Sequence, residues 1–172
     1  TIRFLRHQMK VLRRLWSFSH MNWYIPVDYG IRVSDDVMAI LSPKHYEEFG
    51  VPYNRRLARE FDGIVVHSCG DIVHNIPSIF KIDRLRGIDL TLPHNDVEEI
   101  RDLVAGRMAL MLRCWNQDWE GQSPPSDLVA YTADVLDTLG TRGIMLEMQV
   151  PSESFAEAAS VAGQLRAADW RS

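Results

Sequence analysis

Apolar residues recur three and four apart near the start of the chain, at Ile2, Leu5, Met9, Leu12 and Trp16. This spacing predicts an amphipathic helix over residues 2–18 whose opposite face is basic. Beyond residue 22 the pattern changes to short apolar runs that alternate with helical periodicity. The predicted strands are Trp23–Val27, Ile64–Val66 within Gly63–Gly70, Gly87–Leu90, Met108–Leu112 and Gly143–Met148. The first ends at Asp28-Tyr29-Gly30, and an acidic loop with Asp35 and Asp36 is expected to follow. Ser42-Pro43 opens a helix with Tyr46, Phe49, Tyr53, Leu57 and Phe61 on its buried side, and Pro52 predicts a kink or break near Gly50. Further helices are predicted around Ile76–Phe80, after Asn95, along Leu128, Tyr131, Val135 and Leu139, and after a capping box at Ser154 and Glu157.

The order is therefore strand then helix, five times over residues 22–170, preceded by a helix over residues 1–20. Strands apolar on both faces belong to parallel sheets covered by helices. The fold expected is a single α/β domain over residues 1–172, a parallel β/α barrel of TIM type with about five β/α units. An intact (β/α)8 barrel takes roughly 250 residues. Five units mean either an open sheet or part of a larger barrel. Polar residues gather just after the predicted strands: Asp28; His67 and Cys69; Asp89 and His94; Cys114, Asn116 and Asp118; Glu147 and Gln149. In a β/α barrel these positions converge on the face that carries the active site.

Composition narrows the function classes. The 172 residues are 46% hydrophobic and 24% charged with a net charge of −4, which gives no general case for binding nucleic acid or a membrane. No apolar run is long enough to span a bilayer, and the basic residues from Arg3 to Arg14 interrupt any signal-peptide core. Two cysteines suit a reducing compartment, so a cytoplasmic protein is expected. No GxGxxG or P-loop pattern supports nucleotide binding.

The chemistry centres on His67-Ser68-Cys69-Gly70. Side chains alternate along a strand, so His67 and Cys69 face the same side at its C-terminal end. An imidazole and a thiol placed this way can share a soft metal ion, and zinc fits best. The competing assignment is a hydrogen-bonded histidine beside a cysteine packed as a small hydrophobe. Glu147 is a candidate third ligand or acid/base group, against pairing with an arginine at the barrel mouth. Asp28 is a candidate catalytic carboxylate. Tyr29, Asp89, His94, Asn116 and Gln149 are expected to line the substrate, and Cys114 to pack in the core.

Several segments together resemble the uroporphyrinogen decarboxylase superfamily. They are Asp28-Tyr29-Gly30, Leu41–Phe49 with its Ser-Pro-x-x-Tyr-x-x-Phe stretch and Pro52-Tyr53 after it, His67-Ser68-Cys69-Gly70, Gly87-Ile88-Asp89 and Gly143–Leu146. The resemblance covers residues from about 22 to 165 and implies the C-terminal part of a (β/α)8 barrel. Its decarboxylases lack the His-x-Cys pair. In its zinc- and corrinoid-linked methyltransferases, that pair supplies two zinc ligands and a cysteine past the last strand supplies a third. Glu147-Met148-Gln149-Val150-Pro151 has no cysteine, which leaves Glu147 as the candidate there.

The resemblance implies a zinc-dependent enzyme that activates a thiol for methyl transfer from a corrinoid on a partner protein. The alternatives are a tetrapyrrole decarboxylase and a non-catalytic half-barrel that assembles with another chain. Either self-association or a separate N-terminal barrel portion is expected.

Overall fold

The structure, a computed structural model, describes residues 2–12, 29–104, 106–115, 127–148 and 155–167. Five strands form one sheet: β1 (Ile31–Ser34), β2 (Ile64–Ser68), β3 (Leu85–Thr91), β4 (Ala109–Trp115) and β5 (Ile144–Met148). All neighbours pair in parallel, and their order across the sheet is their order in the chain. Parallel crossovers are right-handed, so a sheet whose order never reverses collects its helices on one face. A doubly wound sheet reverses at a switch point. This one is part of a parallel β/α barrel.

The helices are α1 (Ile2–Leu12), α2 (Pro43–Phe49), α3 (Val51–Glu60), α4 (Ile76–Ile79), α5 (Val97–Val104), α6 (Leu128–Leu139) and α7 (Phe155–Ala167). Ser42 caps α2, accepting from the His45 N–H. The break expected near Gly50 separates α2 from α3 and leaves Pro52 in the first turn of α3, where its missing N–H costs nothing. A side chain at Gly50 would meet the Tyr46 ring at 2.3 Å, so the joint requires glycine. Among the described residues no helix is long and apolar enough to cross a membrane.

Alternate residues of each strand divide between two environments. Ile64, Val66, Ile88, Leu90, Leu110 and Leu112 join Tyr46, Ala58, Ile76, Ile79, Ile100 and Val135 in one buried core. Each buried Val, Leu or Ile among them contributes about 1.5–3 kcal/mol of transfer free energy. Arg32, Val65, His67, Asp89, Met111, Arg113, Met145 and Glu147 occupy the opposite face, by strand alternation and register.

The start of the sheet differs from expectation. Trp23–Val27 lies outside the described residues, as do residues 13–18 of the first predicted helix and Ser154 of the capping box. The stretch read as a loop after Gly30 is strand β1. Arg32 interrupts its apolar pattern and hid it, but Asp89 neutralises that charge inside the protein. Tyr29-Gly30 consequently leads into a described strand. Gly30 has φ +83°, and a Cβ there would lie 2.0 Å from the Gly63 carbonyl oxygen.

Candidate metal centre

Parallel register sets the rows of the site. Ser34, His67, Asp89, Met111 and Met145 lie abreast, one on each strand. Thr91, Arg113 and Glu147 form the next row toward the C-terminal ends. Cys69 follows β2 directly on the same side as His67. Asp36 opens the 3-10 turn Asp36–Ala39 that follows β1. Two adjacent strands thus deliver three donor groups to one point at the C-terminal end of the sheet.

His67 Nε2 lies 3.1 Å from Cys69 Sγ and 3.9 Å from Asp36 Oδ1. Donor atoms of all three residues lie within 4.8 Å of one another. His67 is buried, Cys69 is partly buried and the Asp36 side chain is 56% exposed, so the cluster opens to solvent on its Asp36 side. Behind the histidine, Nδ1 lies 3.0 Å from Asp89 Oδ1. The other Asp89 oxygen is held by the Arg32 guanidinium, and both of these side chains are fully buried.

Buried asparagines fix the loops that carry the donors. Asn54 and Tyr46 both donate to Asp35 Oδ2, at 2.6 and 3.0 Å. The Asn75 amide donates to the Met38 and Leu41 carbonyls. Asn95 accepts from the Ile72 N–H and donates to the Gly70 and Thr91 carbonyls. A side chain on Gly70 would strike Ala39 at 2.5 Å, so glycine lets the turn after β2 close on the turn after β1.

The electrostatics differ between the donors. Burial raises the Asp36 pKa, but the Cys69 N–H, the Ser34 hydroxyl and the nearby His67 outweigh it and hold the carboxyl below its ordinary value. Burial and then the Asp36 charge push the Cys69 thiol up, against the pull of Arg113. Burial, aided by Glu147, lifts Cys114 to about 12.

An imidazole nitrogen, a thiol sulfur and a carboxylate oxygen are a donor set that zinc accepts. Three protein ligands leave the fourth position of a catalytic site for substrate. Asp89 behind the imidazole matches the carboxylate that commonly orients a zinc-bound histidine. The residues present therefore fit the metal.

The expected site residues are placed unevenly. His67 and Cys69 come together, joined by Asp36. Glu147 does not join that group and pairs with Arg113 at 3.2 Å. Asp89, expected to line the substrate, is closed off between Arg32 and His67. Tyr29 precedes β1 and so stands at the opposite end of the sheet from Cys69. There it lines a cavity of about 200 Å³ with Val65, Met111 and Met145. His94 is exposed in the 3-10 turn after β3, and Cys114 lies in the core. Asp28, Asn116, Asp118 and Gln149 lie outside the described residues. Sequence reasoning missed the roles of Asp36, Arg32 and Arg113. The usable signal for Asp36 was its position just past a strand end, visible only once Ile31–Ser34 is read as a strand.

No protein-family model and no curated protein matches the chain. Among solved structures it is similar to a D-psicose 3-epimerase crystallised with D-fructose, at 12% identity and a TM-score of 0.45. The match covers 77% of this chain and 58% of the epimerase chain.

Proposed function

We propose that this chain carries the metal-binding half of a β/α-barrel enzyme that activates a thiol for methyl transfer, with Asp36, His67 and Cys69 as its zinc ligands. The observation that supports this reading is the meeting of those three donor groups at the C-terminal ends of adjacent parallel strands. Zinc bound there supplies a Lewis acid that makes a thiol nucleophilic at neutral pH.

The protein's own groups do the rest. His67 Nε2 and Cys69 Sγ hold the inner side of the site, and Asp36 holds the side open to solvent. Asp35, Asn75 and Asn95 keep the two loops in register, so little ordering accompanies binding. Arg113, paired with Glu147 in the neighbouring row, places a positive charge near the thiol. A corrinoid on a partner protein would supply the methyl group, and this chain's residues would hold the acceptor thiol at the metal, its proton released to solvent. The corrinoid and its carrier protein come from the resemblance to the methyltransferase branch.

The test is metal content together with a transfer assay. Purified protein is loaded with zinc and offered methylcobalamin and a small thiol. The reading expects thiol methylation that Cys69→Ala and Asp36→Ala abolish. Methylation unaffected by either variant would place the chemistry elsewhere.

A further inference from the structure

Two adjacent aspartates follow β1, and of the two Asp36 joins His67 and Cys69. Asp35 is held elsewhere. Its Oδ2 accepts from the Tyr46 hydroxyl at 3.0 Å and from the Asn54 amide at 2.6 Å. The same amide donates to the Tyr46 hydroxyl oxygen at 3.1 Å, so the three side chains close a network that links α2, α3 and the end of β1. Tyr46, the tyrosine of the Ser-Pro-x-x-Tyr-x-x-Phe stretch, is fully buried, and a buried tyrosine hydroxyl needs a partner. The Asp35 N–H donates to the His67 carbonyl at 2.8 Å, which ties the same residue to β2. A 3-10 turn repeats every three residues, so fixing its first residue sets the direction of the rest. After Asp35, Asp36 and Ala39 face the turn that follows β2 and Met38 enters the core. Val37 and Ile40 face solvent, 51% and 83% exposed. A shift of one residue would bring Val37 to Cys69 in place of a carboxylate.

From this arrangement we infer that Tyr46 is a positioning residue that selects Asp36, and not its neighbour Asp35, as the carboxylate of the site. With Asn54 it captures the Asp35 side chain, and so sets the turn that presents Asp36 to His67 and Cys69. Its hydroxyl acts through Asp35: among the described residues it bonds Asp35 and Asn54 alone. The result is read at one bond, from the Cys69 N–H to Asp36 Oδ1 at 2.8 Å. The inference rests on the proposed zinc centre only in calling Asp36 a ligand. The placement of Asp36 is a property of the metal-free protein.

The experiment is amide hydrogen exchange followed by NMR in metal-free protein, comparing wild type with Tyr46→Phe, which keeps the ring and deletes the hydroxyl. The expected result is a protected Cys69 N–H in wild type that exchanges about twofold to tenfold faster in the variant, the effect of one lost hydrogen bond. The Ile64 N–H, bonded to the Arg84 carbonyl at the other end of β2, should not change. Asn54→Leu removes the second donor from the same Asp35 oxygen and carries the same expectation should Tyr46→Phe not fold. An unprotected Cys69 N–H in wild type overturns the inference whatever the variants do. So does a folded variant with unchanged exchange at Cys69, and so does equal acceleration at Cys69 and Ile64, which marks a merely structural tyrosine. Acceleration confined to the turn, in a protein that takes up no zinc on titration, upholds the positioning role and removes the zinc reading.

Discussion

The main-chain N–H of Cys69 donates to Asp36 Oδ1 at 2.8 Å, joining residues 33 apart in sequence. This bond ties the turn after β1 to the turn after β2 and brings a carboxylate beside the His-x-Cys pair. The accepting oxygen is also the one 3.9 Å from His67 Nε2. Asp36 therefore organises the site whether or not a metal is present.

Asp36→Asn separates those two roles. An asparagine oxygen still accepts from the Cys69 N–H, but it is a much poorer ligand than a carboxylate. The expected outcome is an unchanged circular dichroism spectrum with zinc affinity reduced at least about tenfold, the low end of what loss of a mere supporting partner costs. Chelator competition measures it, and equal affinity in the two proteins removes Asp36 from the ligand set.

Zinc affinity is expected to fall with acidity. The Cys69 pKa is raised, first by burial and then by Asp36, so at neutral pH the metal-free protein holds this thiol protonated and zinc must displace the proton. One proton released corresponds to roughly a tenfold loss of affinity per unit decrease in pH. Calorimetry in buffers of different ionisation enthalpy counts the proton directly. Zero release at pH 7 contradicts a thiolate ligand.

The two cysteines should differ in reactivity. Cys69 is partly exposed, whereas Cys114 is buried with its thiol pushed to about 12. Iodoacetamide at pH 8 is expected to label Cys69 alone in the folded protein, slowly, and both cysteines in denaturant. Zinc should protect Cys69. Because the folded-state pKa of Cys114 is raised, its contribution to stability is complete below the ordinary thiol value of 9.0 and is lost as pH rises toward about 12. Cys114→Val should therefore flatten the alkaline limb of the stability profile, read by denaturant titration at several pH values.

The buried Arg32–Asp89 pair makes a double-variant prediction. Arg32→Met leaves Asp89 as an uncompensated buried charge and should cost about 3–5 kcal/mol. Adding Asp89→Leu removes the orphan and should recover most of that loss. The recovered protein should nevertheless bind zinc more weakly than wild type, because the carboxylate behind His67 is gone. Urea titration and chelator competition read the two effects independently.

Much of this fold was legible in the sequence, for reasons visible in particular residues. The apolar runs at Ile64–Val66 and Met108–Leu112 mark β2 and β4, where Ile64, Val66, Leu110 and Leu112 pack in the core and Val65 and Met111 are buried on the opposite face. Gly50 and Pro52 marked the break between α2 and α3 through ordinary backbone sterics. His67 and Cys69 were readable because two-residue alternation is local. What was hidden depends on contacts distant in sequence. β1 was obscured because Arg32 is acceptable in a buried strand only when Asp89, 57 residues away, neutralises it. With β1 misplaced, Asp36 looked like one acid in a loop. Glu147 showed a carboxylate at a strand end, but its pairing with Arg113 comes from the register of β4 with β5.

The most direct test is the zinc content of protein purified without added metal or chelator, measured by mass spectrometry on wild type, Cys69→Ala and Asp36→Ala. The account predicts about one zinc per chain in wild type and little in either variant, with all three proteins folded. Absence of zinc from wild type, persisting after titration with zinc, would contradict the central claim and leave His67, Cys69 and Asp36 as a structural hydrogen-bonded cluster.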